Sequence, residues 1–356
     1  MNKGDSKIRV LVTGATGFLG SNILKSLMAH QAVEPIAACR SPEKLTPLFS
    51  GEVRKGNLLD ASYRREVVKD VDVICHAGTW ASMWNHNKLE REIFFEPSCD
   101  LVQQAIAHGV KRFIQTSTVC ISEKVLDDGP IDDFSYTRYT GFWPHLDRLI
   151  DLDHFMKSNS THGTQMITMR LGHFVGVGNT LGLLPALVPR LRTYLVPWLA
   201  GGRKHMPLIA DTDLGNAFTL AAVADGLNNY ESFNICGAEF PTIREVVKFI
   251  AQETGFPKPL YGVTYPMGYA FAWLMEKLTP ILPGSSPFLT RSIVHLCENW
   301  NCPSEYARIK LGYLPTKSWR TAAHEHLAAL KEDAYPWPLL CQTTEAIGAE
   351  PITGTS

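Results

Sequence analysis

The 356-residue sequence lacks an excess of either charge: 34 Lys and Arg stand against 35 Asp and Glu. A balance this even leaves no electrostatic footprint for nucleic acid and no reason to expect an anionic membrane as partner. Paired cysteines are also missing. The eight (Cys39, Cys75, Cys99, Cys120, Cys236, Cys297, Cys302 and Cys341) are scattered, and none falls into C-x-x-C spacing, so a disulfide framework or a metal site is not expected. Long apolar runs are absent too. Leu171–Pro189 is broken by His173, Asn179 and two prolines, and Pro259–Met275 contains Pro266 and ends at Glu276. Neither reads as a spanning helix of about 20 apolar residues; the second is the stretch that could touch a membrane. The opening Met1–Lys7 has no apolar signal core, so a soluble, cytoplasmic protein is expected.

What is present is core material: 45% apolar residues against 19% charged. That is enough for one large domain or two intimate ones. The first 175 residues alternate short β-branched runs with helical stretches. Strands are expected at Ile8–Val12, Val33–Cys39, around Val53, Val71–Cys75, Arg112–Gln115 and Gln165–Met169, and helices at Phe18–His30, Lys88–His108 and His145–Lys157. This alternation predicts an α/β fold, a doubly wound parallel sheet with helices on both faces. After Gly176 prolines punctuate the chain. Residues 207–237 return to the sheet through a helix at Asp213–Ala224 and a strand at Ser232–Ile235. Residues 176–206 and 238–335 form a smaller, mostly helical C-terminal lobe for substrate, and 336–356 read as a tail.

Ile8–Val12 runs directly into Thr13-Gly14-Ala15-Thr16-Gly17-Phe18-Leu19-Gly20 and then a helix. A glycine triplet between a buried strand and a helix is a dinucleotide-binding fingerprint. Gly14 permits the turn, Gly17 lets backbone approach a pyrophosphate, and Gly20 lets helix meet strand. The helix N-terminus adds free N–H groups and a positive dipole end. Thr16, Phe18 and Leu19 complete the loop. At the end of the second strand, where an NAD site shows an acid, the chain has Arg40, with Lys44 close by. A planar guanidinium suits a ribose 2′-phosphate, which favours NADP (NADPH) over NAD; an arginine stacking on adenine is the plainer alternative. Asn57 and Leu58, after the third strand, would face the adenine, and Ala77 and Gly78, after the fourth, leave room for cofactor. His76 reads as a hydrogen-bonded turn residue.

Together these segments resemble the extended short-chain dehydrogenase/reductase superfamily, in its NAD-dependent epimerase/dehydratase group. Thr13–Gly20 matches the family's T-G-x-x-G-F-x-G. Gly56–Asp60 resembles G-D-L-x-D, with Asn57 for Asp, and His76–Gly78 resembles H-x-A. Val110–Thr118 is similar to the strand that ends on the catalytic Ser/Thr, here Thr118, with Thr116 on the cofactor side. Arg170–Gly176 resembles R-P-x-N-V-Y-G, which places Leu171 and His173 beside the nicotinamide. Leu311-Gly312-Tyr313-Leu314-Pro315 is similar to the C-terminal signature of the 3β-hydroxysteroid dehydrogenase/isomerase-like branch. The likeness covers roughly residues 8–330 and implies a Rossmann-type sheet. A homodimer through the helices at 88–108 and 145–157 would follow family habit.

The family's chemistry also needs Asn, and Tyr and Lys spaced Y-x-x-x-K. Here the alignment puts Phe94 at Asn, Trp143 at Tyr and Asp147 at Lys. An indole does not titrate in water, and a carboxylate raises a neighbouring phenol's pKa instead of lowering it. The one literal Y-x-x-x-K, Tyr306–Lys310, lies in the C-terminal lobe and reads as chance. Tyr139 is the first stand-in for the missing acid and His145 the second; packing is the plain alternative for each. Trp80, Trp84, Phe94, Phe95, Phe142 and Trp143 would line an aromatic pocket, with Phe271 and Trp273 closing it, for a small hydrophobic or aromatic substrate. Three functions are therefore expected: an NADP(H)-dependent oxidoreductase with a non-standard proton donor, a catalytically silent NADP-binding sensor or scaffold, or a non-redox, lyase-type reaction with Asp147 as base.

Overall fold

The computed structural model describes residues 7–124, 129–279, 281 and 287–337. In it the β-branched runs form one seven-stranded sheet. The strands are β1 (Ile8–Thr13), β2 (Val33–Cys39), β3 (Glu52–Lys55), β4 (Val73–His76), β5 (Arg112–Thr118), β6 (Gln165–Leu171) and β7 (Tyr230–Ile235). They lie in the order β7-β6-β5-β4-β1-β2-β3, each pair parallel. The order reverses between β1 and β4. That switch point opens a crevice at the carboxyl edge, where ligands bind in such sheets. Val10, Leu11 and Val12 are fully buried, as a strand covered on both faces requires.

One face is covered by α1 (Phe18–Met28). Leu19, Ile23, Leu24 and Leu27 bury against Val10 and Val12, and against Leu214, Ala217 and Phe218 of a later helix, Asp211–Val223. The other face holds α2 (Ala61–Val67), α3 (Glu96–Ala107) and α4 (Pro144–Asn159), whose Leu101, Val102, Leu146 and Ile150 meet Leu11, Ile74 and Phe113. The segment expected as one helix over 88–108 is interrupted. Residues Glu90–Phe95 form a π-helical turn before α3. Pro97 supplies the reason: with no N–H it cannot bond the carbonyl four residues back, and the register widens there.

The small lobe is built on α5 (Leu183–Leu191), α6 (Asp211–Val223, shared with the sheet), α7 (Ile243–Thr254), α8 (Tyr265–Leu278), α9 (Arg291–Leu296), α10 (Glu305–Leu311) and α11 (Trp319–Glu332). Its own core joins Val188, Val246, Ile250 and Trp319. Tyr306 of the literal Y-x-x-x-K gives its hydroxyl to Glu231 on the edge strand β7. Residues 338–356, with Cys341 and nearly all of the expected tail, lie outside the described residues. Among those described, no helix is long and apolar enough to cross a membrane.

Candidate dinucleotide and substrate site

The three glycines take three different positions. Gly14 has φ +63°, and a Cβ there would sit 2.7 Å from the carbonyl oxygen of Ala77, so the turn is jammed against the loop after β4. A Cβ on Gly20 would fall 2.2 Å from the Gly14 oxygen, which is where α1 crosses the turn. Gly17 differs: it is exposed, and its nearest such neighbour is the Gly14 oxygen at 3.3 Å. Two glycines therefore serve packing, and the third leaves open backbone at the start of α1. A pyrophosphate fits that cradle, on N–H groups the helix leaves unbonded.

The floor is held by a buried chain of hydrogen bonds. Thr13 Oγ1 accepts from the Gly78 N–H at 3.1 Å and lies 2.7 Å from His76 Nδ1. His76 Nε2 is 3.0 Å from Ser98 Oγ, which spends its own hydrogen on the Phe94 carbonyl. Ser98 must therefore accept, so His76 carries its hydrogen on Nε2 and takes one from Thr13 on Nδ1. Burial lowers its pKa to about 4, and it stays neutral as a fixed strut. Thr116 Oγ1 donates to the His76 carbonyl at 2.9 Å. Asn57 closes its own turn by accepting from the Leu59 N–H at 3.1 Å, and Leu58 borders Gly78. Arg40 is exposed just past β2, with no hydrogen bond or ion pair to the described residues. Phe18 sets its ring 5.9 Å from Phe174.

Two expected cofactor residues point elsewhere. The Leu171 side chain is fully buried in the core, so only its backbone can face a ligand. His173 places Nε2 3.3 Å from the Leu296 carbonyl, a tie between sheet and small lobe, and burial lowers its pKa to about 4.

Thr118 ends β5; its Oγ1 accepts from the Cys120 N–H at 3.3 Å, and its hydroxyl also reaches the Cys120 thiol. The two residues that the resemblance sets against the family's Tyr and Lys, Trp143 and Asp147, are framework. Trp143 is buried, and its indole donates to the Ser82 carbonyl at 2.7 Å. Asp147 accepts from the Thr140 N–H, the Thr140 hydroxyl and the Gly141 N–H at 2.7, 3.0 and 3.1 Å. Both its oxygens thus fasten the loop entering α4.

Tyr139 is half exposed and gives its hydroxyl to Asp151 at 2.8 Å. Burial and that carboxylate raise its pKa to about 12, the wrong direction for a proton donor near neutrality. His145 is differently placed. Its Nδ1 lies 2.9 Å from Glu90 Oε2, its ring lies 5.3 Å from Phe94, and Nε2 has no partner among the described residues. Glu90, fully buried, accepts from the Ser82 N–H with its other oxygen at 2.8 Å. A carboxylate that fixes one imidazole nitrogen and leaves the other open is the arrangement of an oriented base. Glu90 carried no motif in the sequence, and only the π-helical turn brings it inward.

The expected aromatic lining is partly core. Trp80, Phe94 and Trp143 are buried, and Trp84 keeps a buried indole nitrogen without a partner among the described residues. Phe271 and Trp273 do not close the cleft; both are about half exposed on the outer side of α8. The small lobe instead sends in Tyr269 and His295, whose rings stand edge-on to Phe142 at 5.5 and 5.9 Å. His295 also bonds the Cys120 carbonyl at 3.2 Å, and burial lowers its pKa to about 4. Beside it Glu298 meets Lys124 and the Tyr265 hydroxyl, and burial pushes its carboxyl up to about 8. A cavity of about 240 Å³ opens there between the chain that follows β5 and the lobe, lined by Lys124, Ile131, Lys204, Tyr265, Glu298 and Asn299.

The fold is shared with known proteins. Over 328 residues the chain is 24% identical to the 2-alkyl-3-oxoalkanoate reductase of Stenotrophomonas maltophilia, covering 87% of this chain and 96% of that one. It is 23% identical to the 3beta-hydroxysteroid-dehydrogenase/decarboxylase isoform 1 of Arabidopsis thaliana, covering 86% and 75%. An uncharacterized Sinorhizobium fredii protein, 23% identical, is matched over 61% of its own length. The Thermus thermophilus UDP-glucose 4-epimerase, solved in complex with NAD, superposes with a TM-score of 0.69 at 17% identity, covering 91% of this chain and 99% of that one. The model of the NAD dependent epimerase/dehydratase family matches residues 10–236. The chain is a member of that family, within the extended short-chain dehydrogenase/reductase superfamily.

Proposed function

We propose that the protein is an NADP(H)-dependent oxidoreductase acting on a hydrophobic carbonyl or hydroxy compound. The observation that carries this reading is the open cradle at Gly17 followed by an exposed Arg40 that has no partner among the described residues. An exposed guanidinium at the end of β2 suits a 2′-phosphate. The relatives' names point the same way, since the Stenotrophomonas protein is called a reductase of an oxoalkanoate and the Arabidopsis protein a hydroxysteroid dehydrogenase.

The bound cofactor supplies or takes up the hydride. The chain's own residues hold the substrate and move the proton. The Thr118 hydroxyl, exchanging its bond to the Cys120 sulfur, holds the substrate oxygen. His145 Nε2, with its ring set by Glu90, gives a proton to that oxygen in reduction and removes it in oxidation. Tyr139, already bonded to Asp151, serves the α4 surface, and Asp147 is occupied as a loop anchor. The test is NADPH consumption with a panel of apolar ketones by wild type and Thr118→Ala. Turnover lost in the variant, with NADPH binding kept, supports the assignment; equal turnover in both removes Thr118 from it.

A second reading has its own support. Trp143 and Asp147 are both committed to structural hydrogen bonds, as expected if a binding protein had given up the family's chemistry. In that case NADPH binds and no ketone in the panel is reduced.

A further inference from the structure

Helix α8 is built inside out. Its inward stripe, Tyr265, Gly268, Tyr269, Ala272 and Glu276, is small or polar apart from the rings. A Cβ on Gly268 would lie 2.5 Å from Leu199 Cδ1, and Ala272 is fully buried. Its large apolar side chains face out: Met267 is 61% exposed, Phe271 48%, Trp273 46% and Leu274 45%. A helix on a water-facing surface carries these residues on its inner stripe. The outer patch continues beyond the helix. Leu260 and Tyr261 precede it, and the Tyr261 hydroxyl donates to the Leu195 carbonyl at 2.7 Å, which brings exposed Tyr194 and Leu195 alongside.

The charges around this patch have one sign. Residues 190–205 and 256–281 contain six Lys and Arg and a single acid, Glu276; Arg190 is buried and Lys204 lines the cavity, which leaves four cations outside. Glu276 is neutralised by Arg291, with 2.7 Å to its NH2 group. Arg192, Arg203, Lys258 and Lys277 are exposed. The even charge of the whole chain conceals this local excess. An apolar helix face with Trp and Tyr, rimmed by cations, has the make-up of a segment lying in the headgroup–acyl boundary. A second copy fits less well. An antiparallel two-fold pairing of the helix sets the Lys258 end against the Lys277 end, like charge on like.

We propose that the outer face of α8, with the Tyr194–Leu195 and Leu260–Tyr261 turns, docks the protein on an anionic lipid bilayer. The helix lies in the surface and does not cross it. Tyr265, at its first turn, lines the cavity beside Glu298, so docking brings the cavity wall to the lipid. The surface stands independently of the redox reading.

The experiment is flotation of the full chain with vesicles of phosphatidylcholine alone and of phosphatidylcholine with phosphatidylglycerol, at low and high salt. Wild type is expected to float with the anionic vesicles, and less so at high salt. Phe271→Asp with Leu274→Asp, both exposed positions, should cut the bound fraction by about tenfold or more, and Lys258→Glu with Lys277→Glu should remove the preference for phosphatidylglycerol. Circular dichroism and NADPH binding unchanged in both variants show that folding is not the cause. Wild type left at the bottom of every gradient overturns the proposal. So does a dimer by light scattering that the Phe271→Asp, Leu274→Asp pair converts to monomer, because the face then belongs to a second copy.

Discussion

Glu90 Oε2 and His145 Nδ1 lie 2.9 Å apart, and the carboxylate has no exposure to solvent. The contact joins a π-helical turn to the first turn of α4, beside the buried Trp143. It fixes the imidazole so that one nitrogen is spent and the other is open.

His145→Gln should therefore lower kcat for ketone reduction by about 10²–10⁴, the range for loss of a general acid. NADPH affinity should stay unchanged. Glu90→Gln keeps the shape and loses the charge; a smaller drop, about tenfold, is expected for an orienting partner. Steady-state kinetics with NADPH titration measure both, and an unchanged kcat in His145→Gln assigns the proton elsewhere.

The glycines should separate by substitution. In Gly20→Ala the new methyl meets the Gly14 oxygen at 2.2 Å. Backbone has to move, and a loss of about 2–4 kcal/mol or failure to fold is expected. In Gly17→Ala the nearest atom is at 3.3 Å, so the fold should survive and the cofactor affinity should not. Thermal unfolding and NADPH titration on the pair give the comparison. A Gly17→Ala protein that binds normally would show that the pyrophosphate lies elsewhere.

Much of this was legible in the chain. β2 has the bounds its β-branched run implies, and the glycine loop sits between strand and helix as its spacing requires. The face of α8 was not legible. Phe271 and Trp273 were expected inward, but the helix turns Tyr265, Gly268, Tyr269 and Ala272 to the protein because Gly268 must meet Leu199 closely. With its few polar side chains turned inward, the helix shows no water-facing polar stripe to give its orientation away. Glu90 was hidden for the opposite reason: an acid in a polar stretch reads as solvated, and only the register change before Pro97 buries it. His295 reaches Cys120 across 175 residues, a contact no local period records.

Stability should fall on mild acidification. His76, His173 and His295 each have a pKa lowered by burial to about 4. The unfolded chain takes up protons near pH 6.5 that the folded protein refuses. Stabilisation from these groups is complete above that value and drains away as pH falls toward about 4, by up to about 1.4 kcal/mol per unit of displacement for each histidine. Melting temperature measured from pH 7.5 downward should drop through this window; a flat profile to about pH 5 would mean the rings are not buried neutral.

The central claim is that the cradle takes NADP(H), and calorimetric titration of the full chain with NADPH and NADH tests it most directly. The account predicts micromolar NADPH binding, much weaker NADH binding, and loss of the difference in Arg40→Ala, whose freed guanidinium contact is worth about 1.5–3 kcal/mol as a charged hydrogen bond. Equal or tighter binding of NADH, or no binding of either nucleotide, would contradict it.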